Sequence, residues 1–186
     1  MFLLDSAEAQ KDFEELRGRV DKVLDRYGAK VILGGLWDDR KLAYSVKKQR
    51  RGAYYLAYVN CPPQAMKTIR EDLAFVEGLY RFLILQMEED MAIPDAIEVP
   101  RPPADEDGDD DGKRRFKRYA KGRCRFTRWG MKYVDWKETT TLSRLCTNQG
   151  KMFSRKRSGN CARHQRQFKA AIKYARFMAL MPYVAR

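Results

Sequence analysis

The last quarter of this sequence lacks acidic residues. No Asp or Glu follows Glu138, although eleven Lys and Arg residues lie in 139–186. A folded segment with many cations and no anions repels itself unless a polyanion neutralises it. This absence indicates nucleic acid as the partner class, with a membrane surface as the weaker alternative.

Long apolar runs and catalytic patterns are also missing. No run approaches the roughly 20 apolar residues that cross a bilayer, and the apolar start at Met1 is too short for a secretion signal. The single histidine, His164, has no neighbouring carboxylate in its cationic segment, and there is no Gly-rich phosphate loop. The sequence therefore predicts a cytoplasmic protein that makes no membrane contact and is not an enzyme.

Cysteines are few and scattered. In a reducing compartment they are expected to be thiols or metal ligands and not disulfides. The four are Cys61, Cys124, Cys146 and Cys161.

Charge divides the chain into three parts. Residues 1–100 carry 15 Lys and Arg against 17 Asp and Glu, residues 101–112 carry 1 against 6, and residues 113–186 carry 22 against 2. The sums of −2, −5 and +20 give the net charge of +13. We predict a domain at 1–93, a disordered acidic linker with a basic arm at 94–123, and a second domain at 124–186.

The first domain shows an alternation of strand-like and helix-like patterns in the order βαββαβ. This order predicts an α+β, ferredoxin-like sheet with two helices on one face. The two runs between 30 and 47 are also compatible with one long bent strand. The predicted elements are strand Phe2–Leu4, helix 7–27, strands Lys30–Trp37 and Lys41–Lys47, strand Ala53–Cys61, helix Gln64–Ala74 and strand Leu79–Gln86.

Three short motifs in this domain occur in a recognisable order. They are the helix end Leu24–Ala29, the run Arg40–Val46 and the strand entry Gly52–Tyr55. Together they resemble bacterial small-subunit ribosomal protein six over about the first ninety residues.

The second domain is predicted to be small and mainly helical. We expect an extended piece at Tyr133–Lys137, a helix at Thr139–Gln149 and an amphipathic helix at Asn160–Leu180 with Asn160 as its N-cap. The apolar stripe through Phe168, Ile172 and Ala175 is expected to pack on Leu142 and Leu145.

Basic side chains occur in three groups that favour contact with RNA phosphates. The first group is in the arm, where aromatic residues alternate with cations, the second is in the loop before the last helix, and the third lies along that helix. The predicted RNA-binding residues are Arg114, Arg115, Lys117, Arg118, Lys151, Arg155, Lys156, Arg157, Arg163, His164, Arg166, Lys169, Lys173 and Arg176.

Residues 124–184 resemble bacterial small-subunit ribosomal protein eighteen. The resemblance rests on Tyr133–Lys137, Arg155–Gly159, Cys161–Gln167 and Ala179–Tyr183. It implies a structural constituent of the small ribosomal subunit that docks on ribosomal protein six, binds ribosomal RNA in the platform and neighbours other small-subunit proteins. Both families in one chain imply a covalently joined form of that pair. The alternative is a free RNA-binding translational regulator outside the ribosome.

Some members of the eighteen family hold zinc through a Cys-x-x-Cys and a Cys-x-x-His pair. This sequence has Cys124, Cys161 and His164, but Thr127 stands where the second cysteine would be. Structural zinc takes four strong ligands. We therefore predict no cofactor and no zinc, with a three-ligand site as the alternative.

Overall fold

The computed structural model describes residues 1–87, 91, 93–97 and 124–184. The chain divides into two compact units, Met1–Val99 and Pro100–Arg186. The predicted basic arm and most of the predicted acidic linker lie outside the described residues, so their character stays a prediction.

The first unit is a four-stranded antiparallel sheet with helices, as the sequence predicted. The elements are β1 Phe2–Asp5, α1 Ser6–Lys11, α2 Phe13–Arg26, β2 Lys30–Val46, β3 Gln49–Asn60, a 3-10 turn at Pro63–Ala65, α3 Met66–Leu73 and β4 Leu79–Phe82. The strand order in the sheet is β2-β3-β1-β4. The two runs between residues 30 and 47 form the single strand β2, whose pairing with β3 is interrupted by bulges.

The predicted helix 7–27 is two helices. Asp12 interrupts it with extended backbone angles (φ −151°, ψ 94°), and its carboxylate accepts a hydrogen bond from the Glu15 amide. Asp5 caps α1 in the same way by accepting from the Ala7 amide. Aspartates that accept from free amides start helices, and an apolar spacing pattern alone does not show such an internal start.

The sheet carries buried side chains on both faces. Phe2, Leu4 and Tyr55 point to the face on which α2 and α3 pack, where they join the main core. Leu3 and Tyr54 alternate with them, and each is completely buried on the opposite face. Both Tyr54 and Tyr55 therefore pack in the sheet, on opposite faces.

The second unit is helical, with shorter helices than predicted. Residues 133–137 form no strand but a turn in which the Asp135 carboxylate accepts from the Lys137 amide. The helix predicted to reach Gln149 stops at Arg144, because Cys146 pairs with Met152 in an isolated antiparallel bridge. The elements are α4 Arg125–Arg128, α5 Thr139–Arg144, α6 Arg155–Ser158 and α7 Ala162–Phe177.

The core of this unit matches the predicted stripe. Phe168, Ile172 and Ala175 of α7 join one buried cluster with Leu142 and Leu145, as predicted. Phe126 of α4 adds a fully buried ring to this cluster. In the described part of the chain, no helix has the length and apolar character to cross a membrane.

Candidate nucleic-acid interface

Helix α7 carries half of the exposed cations of the candidate interface. Gly159 ends α6 in a left-handed conformation (φ 71°), and the chain re-enters a helix at Ala162. The N-cap is Cys161, whose sulfur accepts from the His164 amide at 3.5 Å, so the predicted cap by Asn160 is wrong. The sequence signal for Asn160 misled because its side chain donates instead to Gln165 at 3.1 Å.

Eight predicted cations of this unit are exposed on the loop and on α7. On the helix they recur at intervals of three and four residues, which places them along one side. Within the described residues none of the eight forms a salt bridge with a carboxylate. They are Lys151, Arg155, Lys156, Arg157, Arg163, Arg166, Lys169 and Lys173.

Gln165 joins the basic loop to helix α7, a role that the sequence did not predict. The basic loop is the segment 151–160, which includes the short helix α6. Its side-chain amide donates to the Phe153 carbonyl at 2.9 Å, and its oxygen accepts from the Ser158 hydroxyl at 3.2 Å. The same oxygen accepts from Asn160. The loop that carries Arg155 to Arg157 is therefore held at both ends against α7. The signal for this role in the sequence is weak, because Gln165 is an uncharged amide beside the apolar stripe of α7.

Two predicted contact residues are engaged inside the unit. Arg176 is half-buried and donates to the Pro182 carbonyl at 3.2 Å and to the Gly150 carbonyl. His164 is 6% exposed, and its ring lies 5.4 Å from that of Phe126. Both side chains therefore make contacts within the second unit that support the exposed basic surface. Arg114, Arg115, Lys117 and Arg118 lie outside the described residues.

His164 lies between two thiols. Its Nδ1 is 3.1 Å from Cys161 Sγ and 3.4 Å from Cys124 Sγ, and its Nε2 is 3.0 Å from the Met131 carbonyl. A carbonyl only accepts, so Nε2 carries a proton and Nδ1 faces the two sulfurs. All three ligand-type atoms lie within 4.8 Å of one another.

The Cys124 thiol has a lowered pKa although it is buried. Burial by itself raises its pKa, but hydrogen bonds from the backbone amides of Cys161, Thr127 and Phe126 outweigh burial and lower the pKa to about 6. In contrast, burial raises the pKa of the Cys146 thiol, which lies in the same core. Amide donors stabilise a thiolate in preference to a thiol.

The three donors fall short of a closed zinc site. Cys124, Cys161 and His164 are zinc-ligand types brought together, but structural zinc takes four. Thr127 hydrogen-bonds through its side chain to the Cys124 sulfur and adds no strong ligand. The donor set thus does not fit the four-ligand group of the eighteen family, and the absence of zinc stays a prediction.

Comparison with known proteins divides the chain as the fold does. The family model of Ribosomal protein S6 matches residues 1–86, and that of Ribosomal protein S18 matches residues 130–181. Similar proteins include Small ribosomal subunit protein bS18 of Dictyoglomus turgidum, 51% identical over 63 residues, which are 34% of this chain and 75% of the relative. The bS18 protein of Thermotoga maritima is 44% identical over 72 residues, 39% of this chain and 93% of the relative.

The ferredoxin-like sheet, the basic helical unit and these matches define a small-subunit ribosomal protein. Both matched families are structural and not enzymatic. The chain belongs to the Ribosomal protein S18 family and carries a Ribosomal protein S6 domain before it, as an S6–S18 fusion. The resemblance read from the sequence is thereby confirmed.

Proposed function

We propose that this chain binds small-subunit ribosomal RNA in the platform as a covalently joined form of the S6 and S18 pair. It acts in the cytoplasmic ribosome as a structural component beside other small-subunit proteins, without catalysis and without a cofactor. The observation that carries this proposal is the group of eight exposed cations on one unit in which no acid follows Glu138.

The arrangement suits the recognition of phosphate and shape. Four of the cations lie along α7 and four lie on the loop that Gln165 holds in place. Side chains fixed at regular intervals meet successive phosphates of a folded RNA, whose backbone and not its base edges is then read. Arg157 lies 3.9 Å over the Phe153 ring, which pre-orders one cation of the loop.

Docking of the two units on each other is part of the proposal. The sheet of the first unit has apolar residues on both faces, and α2 and α3 pack on only the face of Phe2 and Leu4. Leu3, Trp37 and Tyr54 form a buried apolar layer on the second face, and we propose that the second unit docks on this side of the sheet. The second unit has a small core, and small domains gain stability by leaning on a partner.

Changing Arg163, Arg166 and Lys169 together to Ala tests the RNA surface. We expect weaker binding to a small-subunit rRNA platform fragment and a salt dependence of log K shallower by about two to three units, because each lost phosphate contact removes one released counterion. The matched control changes Lys22, Lys67 and Arg70, three exposed cations on α2 and α3, to Ala. An unchanged salt slope in the first variant would show that another surface binds RNA.

A sedimentation experiment separates the ribosomal role from the free regulator. We expect the chain to remain with small subunits in high-salt gradients. Recovery only from the soluble fraction, with RNA binding intact, would support the regulator instead.

A further inference from the structure

The geometry points to Cys124 and Cys161 as a peroxide-oxidised thiol pair that closes a reversible disulfide within the chain. The RNA surface makes no direct use of these two thiols. Cys124 precedes α4 and Cys161 caps α7, so the bond would join two separate elements of the second unit.

The distances bring the reacting groups together. The two sulfurs and His164 Nδ1 lie within 4.8 Å of one another, and a disulfide needs a sulfur separation of about 2.05 Å. Rotation about the Cα–Cβ bonds of the cysteines shortens such a gap. Cys161 is half-buried and therefore reachable by a small oxidant, whereas Cys124 is 7% exposed and acts as the resolving thiol.

His164 is oriented to accept a proton from Cys161 in the first step. Its Nε2 proton is held by the Met131 carbonyl, so Nδ1 is the basic atom, 3.1 Å from Cys161 Sγ. When Cys161 attacks hydrogen peroxide, an S–O bond forms and the O–O bond breaks. The thiol proton passes to Nδ1 and then to the leaving hydroxide, which leaves as water.

The second step closes the bridge. The Cys124 sulfur attacks the sulfenic sulfur of Cys161, an S–S bond forms, the S–O bond breaks, and the hydroxide leaves as water with the Cys124 proton. Two thiols together lose two electrons, which reduce one peroxide to two waters. The amides that surround the Cys124 sulfur stabilise its thiolate, which is the form that attacks in this step.

Cys61 provides an internal control. It is half-buried like Cys161, but its sulfur contacts the Pro62 carbonyl and lies in the other unit. Burial raises the pKa of the Cys61 thiol, so it should react more slowly than the pair.

The test treats the reduced full-length chain with graded hydrogen peroxide, blocks the remaining thiols with iodoacetamide and maps peptides by mass spectrometry without reductant. We expect a peptide cross-linked between Cys124 and Cys161, removed by dithiothreitol, to form roughly tenfold faster than Cys61 is lost. In the Cys124→Ser variant, Cys161 should instead accumulate a sulfenic acid that a cyclic 1,3-dione traps.

Three results would overturn the proposal. One is oxidation of Cys61 at the rate of Cys161, and another is a bridge found only between chains. The third is stoichiometric zinc that survives dialysis and keeps both thiols unreactive in the purified chain. The mapping of the unsubstituted chain decides between these outcomes even if the variant is unstable.

Discussion

At the scale of single residues, the interface depends on side chains that themselves touch no RNA. Gln165 ties the Phe153 carbonyl, the Ser158 hydroxyl and the Asn160 amide to α7. Three polar groups of the basic loop thus have one common partner. Fixing a loop before binding lowers the entropy lost when the complex forms.

We predict that Gln165→Glu loosens the loop. The new carboxylate keeps the shape of the amide but cannot donate to the Phe153 carbonyl, so a part-buried acceptor loses its partner and faces another oxygen. The expected loss is about 1 to 3 kcal/mol in the free energy of unfolding, measured by urea denaturation.

Gln149→Glu is the matched control for the prediction at Gln165. Gln149 is exposed in the same unit, so the variant makes the same change of charge without removing this hydrogen bond. Equal effects of the two variants on unfolding would mean that charge alone, and not the link to Phe153, is responsible.

At the scale of elements, the apolar spacing predicted which helices exist and what they pack on. The stripe of α7 through Phe168 and Ile172 meets Leu142 and Leu145 because the three-and-four spacing fixes one face before any tertiary contact is known. Helix ends depend on single hydrogen bonds instead. The Asp12 break, the Cys161 cap and the bridge from Cys146 to Met152 are of this kind and escaped prediction.

In the candidate site, too, local sequence patterns predicted some features, whereas others depend on tertiary packing. The exposed cations followed from composition, since no acid follows Glu138 to pair with them. The meeting of Cys124 with His164, 40 residues apart, depends on how α4 packs against α7. Sequence spacing predicted only the local half of that cluster, from Cys161 to His164, and Cys124 was added only by the resemblance to the zinc pattern of the eighteen family.

The turn between β2 and β3 contains backbone strain that a substitution can relieve. Lys47 and Lys48 adopt positive φ angles of 47° and 69° in the two-residue turn, and Val46 pairs with Gln49 across it. Such turns favour Asn and Gly, because side chains with a Cβ are strained in the left-handed region. Lys47 is retained by its bond to the Leu79 carbonyl at 3.2 Å.

We predict that Lys48→Gly stabilises the first unit by about 0.5 kcal/mol. Glycine removes a left-handed penalty of about 1 to 2 kcal/mol, and its greater freedom in the unfolded chain offsets about 0.5 to 1 kcal/mol of that gain. Chemical denaturation measures the change. Lys48→Ala removes the same charge but keeps the Cβ, so it should give no gain, and an equal gain from Ala would assign the effect to charge.

At the scale of the whole molecule, the fusion makes any association between the S6 domain and the S18 domain intramolecular. The matched regions, residues 1–86 and 130–181, are separated by 43 residues. A connection with the predicted flexibility would hold two partners at an effective concentration on the order of millimolar. Units that dock weakly as separate proteins would then remain together at any cellular concentration.

Cutting that connection tests whether the units dock. A site for a specific protease, inserted within 104–112, allows cleavage after the chain has folded. Because the second face of the sheet carries the apolar layer of Leu3, Trp37 and Tyr54, we expect the fragments to co-elute in size-exclusion chromatography at micromolar concentration. Fragments of the parent chain that elute apart while each retains its circular dichroism would show that only the peptide connection joins the units.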